Sequence, residues 1–493
     1  MFTDAACGVR PPGRDRRGFL KELGLGSIAL ASLIADQKAS GAPALPAVDL
    51  SDPLAPRQPH ITPKARNVIF LFMVGGVSQI ETFDHKPLLK KYAGKEAREI
   101  FPKEDLDGLN PSKTFYDTRI VPPVFSFKRY GQSGAWVSEI FPHLTKVVDD
   151  ITFIKSMHAD TPIHGPGQIL MHTGYSRQGH PSLGSWVTYG LGTENRNMPG
   201  FVVMTDGRSD GGRALYDSGF LPGYHQATLA DVTPGNPPVP HIEAPAFLNP
   251  GQHRQQLGLL RKLNRLHRGM HPTQPELDAR IAAFETAFRM QMEAPGLFDI
   301  RNEPASVKAL YGDTDFGRKC LMARRMVESG VRFVEILDGA HGRKWDAHGN
   351  RGGLIKNHRT NAARTDQGVA ALIIDLKSRG LLDETLVVWA TEFGRTPFEE
   401  ADRSLTKTTI GRSHHHYGFT MWMAGGGVKR GITYGATDEL GMHAVKNRVS
   451  HHDFHATILH LLGLDHERLT YRHNSRDFRL TDVYGNVVHD IIT

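Results

Sequence analysis

The sequence predicts an α/β fold: a mainly parallel sheet with helices on both faces. Through the C-terminal half, short apolar strands alternate with amphipathic helices, the order a doubly covered sheet requires. Near the N-terminus, Asn67-Val68-Ile69-Phe70-Leu71-Phe72-Met73-Val74 is an unbroken apolar run ended by Gly75-Gly76. Strands buried on both faces read this way. Carboxylates and imidazoles follow several strands, and ligands of such sheets gather at the carboxyl ends.

The elements run as follows. Residues 43–65 are Pro- and Ala-rich and read as a linker, and one domain occupies 66–493. Residues 85–150 mix short helical and loop signals. Phe201-Val202-Val203-Met204 is a short strand, and 205–260 reads as a loop-rich insertion. Residues 274–294 read as a helix with Ile281, Phe284, Phe288 and Met292 on one face. Phe316 to Ser329 is a helix stopped at Gly330, followed by a strand over 331–337. Asn361 to Ser378 carries Val369, Leu372, Ile373 and Leu376 at helical spacing, and Gly380 ends it. Strands follow at 385–390 and 419–424, the second closed by Gly425-Gly426-Gly427, which reads as a turn because no helix follows. Asp453 reads as the cap of a last helix with Ile458, Leu459 and Leu462 inward. The cluster His451, His452 and His455 opens that helix and reads equally as a solvated helix start or a functional group.

The chain of 493 residues, 39% of them hydrophobic, can bury a large core. Its net charge is +7. Six Lys/Arg and four Asp/Glu fall in residues 1–42, so the remainder carries about +5. No basic strip interleaved with aromatics is present, so no nucleic-acid partner is expected. The mild basicity suits anionic ligands such as sulfated or carboxylated glycans. Arg16-Arg17-Gly18-Phe19-Leu20-Lys21 matches the twin-arginine export pattern, with a weakly apolar stretch from Leu23 to Ala35 and small residues at Ala39-Ser40-Gly41-Ala42 behind it. Residues 1–42 are therefore read as a signal peptide, and the mature protein as periplasmic or secreted. That stretch falls short of the roughly 20 residues a span needs, so no stable membrane span is expected. Loss of Cys7 with the signal leaves Cys320 alone, and no internal disulfide. No feature sets the oligomeric state.

Ligating groups follow four segments. They are Ser78, Glu81, Asp84 and His85; then Asp338, His341, Asp346 and His348; then Glu392 and Arg395; then Arg412, Ser413 and His414. Each piece is common alone, but their recurrence at strand ends suits a divalent ion such as Zn, Mn or Ca. Such an ion polarises a phosphoryl, sulfuryl or carbonyl oxygen, or lowers the pKa of water.

Residues His164 to Gly174 resemble, by spacing, the sulfatase signature Cys/Ser-x-Pro-Ser-Arg-x-x-x-x-Thr-Gly. Pro166, Thr173 and Gly174 are in register, but His164 stands at the nucleophile position, and Gln168 at the Arg. With Gly75–Asp84, His180–Val187, Trp345–Gly349, Glu392–Pro397, Gly411–His414 and Ala424–Gly427, the chain resembles the bacterial domain-of-unknown-function 1501 family from about Asn67 to Leu464. That family is a sulfatase-like branch of the alkaline phosphatase superfamily, so the resemblance implies an alkaline phosphatase/sulfatase-like fold. Superfamily members end the first strand with a metal-binding Asp. Here that place reads Val74-Gly75-Gly76, so the ligand is missing unless Glu81 or Asp84 reaches in. Asp346 and His348 resemble the middle-strand ligands, Glu392-Phe393-Gly394 stands where Asp-His-Gly is usual, and His414 resembles the late His. Ser413 departs from the Asp common in the family. The resemblance thus implies one metal on Asp346, His348, Glu392 and His414, or none.

Two readings of function remain open. In the first, the protein is an exported, metal-assisted hydrolase of a sulfate or phosphate ester or related bond, with no formylglycine. His164 is then nucleophile or general base, Gln168 and His172 contact the anion, and Ser78, Arg395 and Arg412 bind substrate. In the second, it is a catalytically degenerate binding protein for an anionic glycan or other partner. Gln168 favours this second reading, since an amide brings no charge to a sulfate.

Overall fold

Seven consecutive buried residues, Asn67–Met73, form the central strand of the protein. In this computed structural model the described residues are 53–493, except 111–112, 206, 208, 232–249, 271–280, 282–296, 340–343, 350–352 and 401–408. The predicted signal 1–42, the first part of the linker and most of the predicted helix 274–294 lie outside the described residues.

The main sheet contains β1 (Asn67–Met73), β2 (Ile151–His158), β3 (Phe201–Thr205), β4 (Thr228–Asp231), β5 (Phe333–Asp338), β6 (Thr385–Ala390), β7 (Phe419–Ala424), β8 (Ile432–Tyr434) and β9 (Val449–Ser450). Their spatial order is β8-β2-β7-β6-β1-β5-β3-β4, with β9 also on β2. Every pairing is parallel except those of β7, which runs antiparallel to both β2 and β6. The sheet is thus mostly parallel, as the alternation of elements predicts. Strand β2 is absent from the sequence-based reading, because buried Thr152, Lys155 and Ser156 interrupt its apolar run.

Two helices, Asp315–Glu328 and Gly353–Ser378, cover one face. Val369, Leu372, Ile373 and Leu376 are buried there with Ile69, Leu71, Val334, Ile336 and Val387 in one apolar core. Each such side chain contributes about 1.5–3 kcal/mol on full burial. Thr314 starts the first of these helices by accepting the Gly317 N–H at 3.0 Å. On the other face, helix His164–Thr173 sets the His172 ring edge-on to Phe70 and Phe72, with centroids 5.8 and 4.5 Å away. Helix Leu183–Leu191 joins it at Gly184, where a Cβ would strike the Phe201 ring. The last helix, His451–Leu461, packs behind them, its His455 Nε2 donating to the Met171 carbonyl at 2.7 Å. Ser450 caps it, and Asp453 closes a reciprocal capping box three residues in rather than capping by itself. Its His451 and His455 are buried. Gly425, Gly426 and Gly427 make the turn after β7, all at positive φ.

The register brings the working ends together. Met73 pairs with Asp338 and Phe72 with Ala390, so β1, β5 and β6 finish level. Strand β2 points the same way, because β7 is antiparallel to both β2 and β6. Four loops therefore leave one edge of the sheet. No helix among the described residues is long and apolar enough to cross a membrane.

Candidate metal centre

The loop after β1 contributes backbone rather than a ligand. Gly75 N–H donates to Glu392 Oε1 at 2.8 Å, and the carbonyls of Gly75 and Gly76 accept from the Arg395 guanidinium. Gly75 has φ +116°, and a Cβ on it would lie 2.6 Å from the Asp346 nitrogen. Only glycine lets the two loops approach this closely. The carboxylates farther along the loop turn away. Glu81 is held by Arg412 at 2.9 and 3.0 Å and by the Ser78 hydroxyl, while Asp84 meets Lys86 at 3.1 Å and accepts from Thr437.

Four side chains converge above this floor. One ligand atom from each of His164, Asp346, His348 and His414 lies within 4.8 Å of all the others. His164 is the first residue of its helix. Asp346 and His348 follow β5, and the loop is pinned where Trp345 N–H donates to the Val74 carbonyl at 2.8 Å. His414 lies on a two-stranded ribbon, Gly394–Glu399 with Arg412–His415, whose register sets it opposite Arg395. The ribbon is tied to the β5 loop, because Arg412 N–H donates to the Ala347 carbonyl at 3.1 Å.

The imidazoles share one orientation. Each Nδ1 meets an outer acceptor: Glu392 Oε1 for His164 at 2.8 Å, a Glu400 carboxylate oxygen for His348, and the Pro162 carbonyl for His414 at 2.7 Å. Each Nε2 faces Asp346 Oδ1, at 3.4 Å from His164, 2.8 Å from His348 and 3.4 Å from His414. The Nε2 atoms of His348 and His414 are 3.1 Å apart. In a neutral ring, an Nδ1–H used outward leaves a lone pair on Nε2, and three such rings would offer an ion three nitrogen donors beside the carboxylate. Metal-ligating histidines are oriented by outer carboxylates and carbonyls in the same way. Arg395 holds Asp346 from below at 2.6 Å.

The flanking carboxylates favour positive charge on His164. Burial works against the charged His164 ring, but the Asp346 and Glu392 carboxylates beside it push its pKa up to about 9. Burial lowers His414 to about 3 despite Asp346. Burial also opposes the charge on Asp346, yet Arg395 and the three imidazoles hold its carboxyl far below the usual range. Against burial, Glu392 is held down by His164, and Glu400 by His348 and Lys113. The four converging side chains remain partly open, between 16% and 24% exposed, so the cluster faces solvent.

The remaining predicted site residues lie behind or away from this cluster. Glu392 is wholly buried and stands behind His164 instead of among the converging atoms. Gln168 is buried beside it, donating to Glu392 at 3.2 Å and accepting from Gly211 N–H at 2.8 Å. His172 is inside the fold between the Gln168 carbonyl at 2.7 Å and Glu335 at 2.8 Å. Ser78 and Arg412 meet at Glu81, below the surface. Arg395 is buried under Asp346. His341 lies outside the described residues. Glu400 and the Pro162 carbonyl carry no sequence signal beyond a nearby ligand, and only the fold reveals them.

No curated protein matches the sequence. Among solved structures, the chain is similar to the PsFucS1 sulfatase from Pseudoalteromonas sp., at 12% identity and TM-score 0.34, over 91% of this chain and 72% of that one. It is also similar to the lipoteichoic acid synthase LtaP from Listeria monocytogenes, at 10% identity and TM-score 0.32, over 82% and 76%. A third is the C-terminal periplasmic domain of EcEptC from Escherichia coli in complex with Zn, at 10% identity and TM-score 0.32, over 82% and 85%. The family model described as "Protein of unknown function (DUF1501)" matches residues 65–492, and the protein belongs to that family.

Proposed function

We propose that the protein is a metal-dependent hydrolase acting on a phosphate or sulfate ester or a related bond, with His164, Asp346, His348 and His414 holding one divalent ion. The single observation carrying this reading is the outward use of all three Nδ1 atoms, which turns three Nε2 atoms onto one carboxylate oxygen. The His164 Nε2 is buried and makes no hydrogen bond that meets normal geometry. Three imidazoles and a carboxylate are a donor set suited to Zn or another first-row ion. Ca, with its demand for six to eight oxygens, fits less well.

An ion held there supplies Lewis acidity that polarises a phosphoryl, sulfuryl or carbonyl oxygen. The chain does the rest. Glu392, Glu400 and the Pro162 carbonyl fix the ring orientations, and Arg395 keeps Asp346 charged and in place. Arg395 and Arg412 are engaged with Asp346 and Glu81, so neither guanidinium is free to meet a substrate anion. His164 serves here as a ligand in place of the nucleophile or base its position in the signature suggests. The Arg16-Arg17 pattern supports a site of action outside the cytoplasm.

Elemental analysis of the purified protein should find about one equivalent of divalent metal per chain. Asp346→Ala combined with His348→Ala should remove it and lower the melting temperature, as loss of a folded-state ligand does. Phosphate- and sulfate-ester turnover should vanish with the metal. A protein that folds normally, holds no metal and takes none up on titration would overturn the reading. A metallated protein inert on every ester would leave a metal-dependent binder of anionic glycans.

A further inference from the structure

Far from the metal centre in sequence, helix Pro250–Met270 follows the edge strand β4 and carries an apolar stripe that no other part of the chain covers among the described residues. Leu259, Leu260, Leu263, Leu266 and Met270 are all exposed, the last two by 66% and 68%. Side chains of this size are normally the interior of a fold, and a contiguous exposed set marks an interaction surface. Their spacing puts them on one side of the helix. At 100° per residue the five positions span an arc of about 120°. Leu260 widens the arc beyond the narrow seam that a two-helix coiled coil uses. The flank is open as well, since a Cβ added at Gly258 or Gly269 would meet nothing within 4 Å.

The composition of the helix selects the occupant. Its 21 residues include Arg254, Arg261, Lys262, Arg265 and Arg268 and no Asp or Glu. A second copy of the same helix would bring five more cations and no countercharge. A bilayer surface with anionic headgroups supplies both the apolar medium for the leucines and the negative charge for the cations. Helices with a broad apolar face, Lys/Arg elsewhere and low mean hydropathy lie in that interface plane.

We propose that Pro250–Met270 is a membrane-surface helix that docks the protein onto an anionic lipid bilayer without spanning it. The inference is independent of the metal centre.

Co-sedimentation of the purified protein with vesicles tests it. Vesicles containing phosphatidylglycerol should pull the protein down, and vesicles of phosphatidylcholine alone should do so much less. Raising the salt should weaken capture, because the electrostatic part is screened. Leu263→Glu with Leu266→Glu should lower the bound fraction by about tenfold or more while the melting temperature stays unchanged. Lys262→Glu, which leaves the leucines intact, should weaken capture by anionic vesicles alone. Equal capture by both vesicle types, equal capture of wild type and the leucine variant, or no capture at all would overturn the proposal. So would a wild-type dimer that the leucine variant converts to monomer without any vesicle binding, which would assign the stripe to a second copy.

Discussion

His164 Nδ1 lies 2.8 Å from Oε1 of Glu392, a carboxylate with no exposure to solvent. The same oxygen accepts from the Gly75 N–H at 2.8 Å and from Gln168 at 3.2 Å, so the acceptor that orients His164 is itself fixed on three sides. Glu392→Gln keeps the shape and removes the charge. It should weaken metal binding by about 10–100-fold, the usual effect of losing an outer carboxylate on a ligating histidine. Competition against a chelator of known affinity measures this. Unchanged affinity would show that Glu392 serves only the fold.

Gly75 gives a second route to the same centre. Ala there would be strained at φ +116° and would press its Cβ on the backbone of Trp345 and Asp346, 2.7 and 2.6 Å away. The expected outcome of Gly75→Ala is a loss of about 1–3 kcal/mol in stability, from strain at a backbone position L residues seldom adopt. Because the clash is with Asp346, metal affinity should fall as well. Urea unfolding and metal titration on the same variant read both effects. A stability loss with unaltered metal binding would mean that the β5 loop relaxes independently of β1.

Arg412 and Glu81 form a buried pair with no solvent exposure on either side chain. Arg412 also donates to the carbonyls of Thr396, Val121 and Pro122. Arg412→Ala strands the Glu81 charge in the interior and should cost about 3–5 kcal/mol. Adding Glu81→Ala should restore part of that loss. A substrate-binding role predicts the opposite pattern, a raised KM with stability unchanged. Denaturation of the single and double variants, beside kinetics on any ester turned over, separates the two.

The sequence exposes the sheet well and the centre partly, for physical reasons. Strands β1, β5, β6 and β7 are legible because they are short apolar runs ended by Gly or a ligating group. Strand β2 hides behind buried Thr152, Lys155 and Ser156, and the two hydroxyls find their acceptors, the Lys429 and Asn447 carbonyls, only in the folded protein. Asp346, His348 and His414 stand among the predicted ligands because chemistry collects at strand ends. Glu392 and His164 are also singled out, but their relation is not legible. Which of two neighbouring polar groups reaches the centre depends on loop path, and Gly75, Trp345 and the Arg412 ribbon set that path. Ser78 and Arg412 read as surface binding groups for the same reason, since sequence spacing carries no depth.

Two buried histidines give the stability a defined pH dependence. His358 accepts the Ser78 N–H at 3.1 Å, and His455 donates to the Met171 carbonyl at 2.7 Å. Burial lowers both to about 3, with Arg395 and Arg412 adding to the effect at His358. In the unfolded chain each ring returns to about 6.5. Between these values the unfolded state binds more protons than the folded one, so stability rises with pH. Their contribution is complete above pH 6.5 or so and is lost progressively as the pH falls towards 3. Each ring adds a slope of up to about 1.4 kcal/mol per pH unit inside that window. The urea midpoint should therefore drop steeply from pH 7 to pH 5, with metal chelated throughout to exclude ligand release. His455→Gln retains a donor for the Met171 carbonyl but cannot titrate, and should flatten the profile. An equally steep profile in that variant would assign the acid sensitivity to other groups.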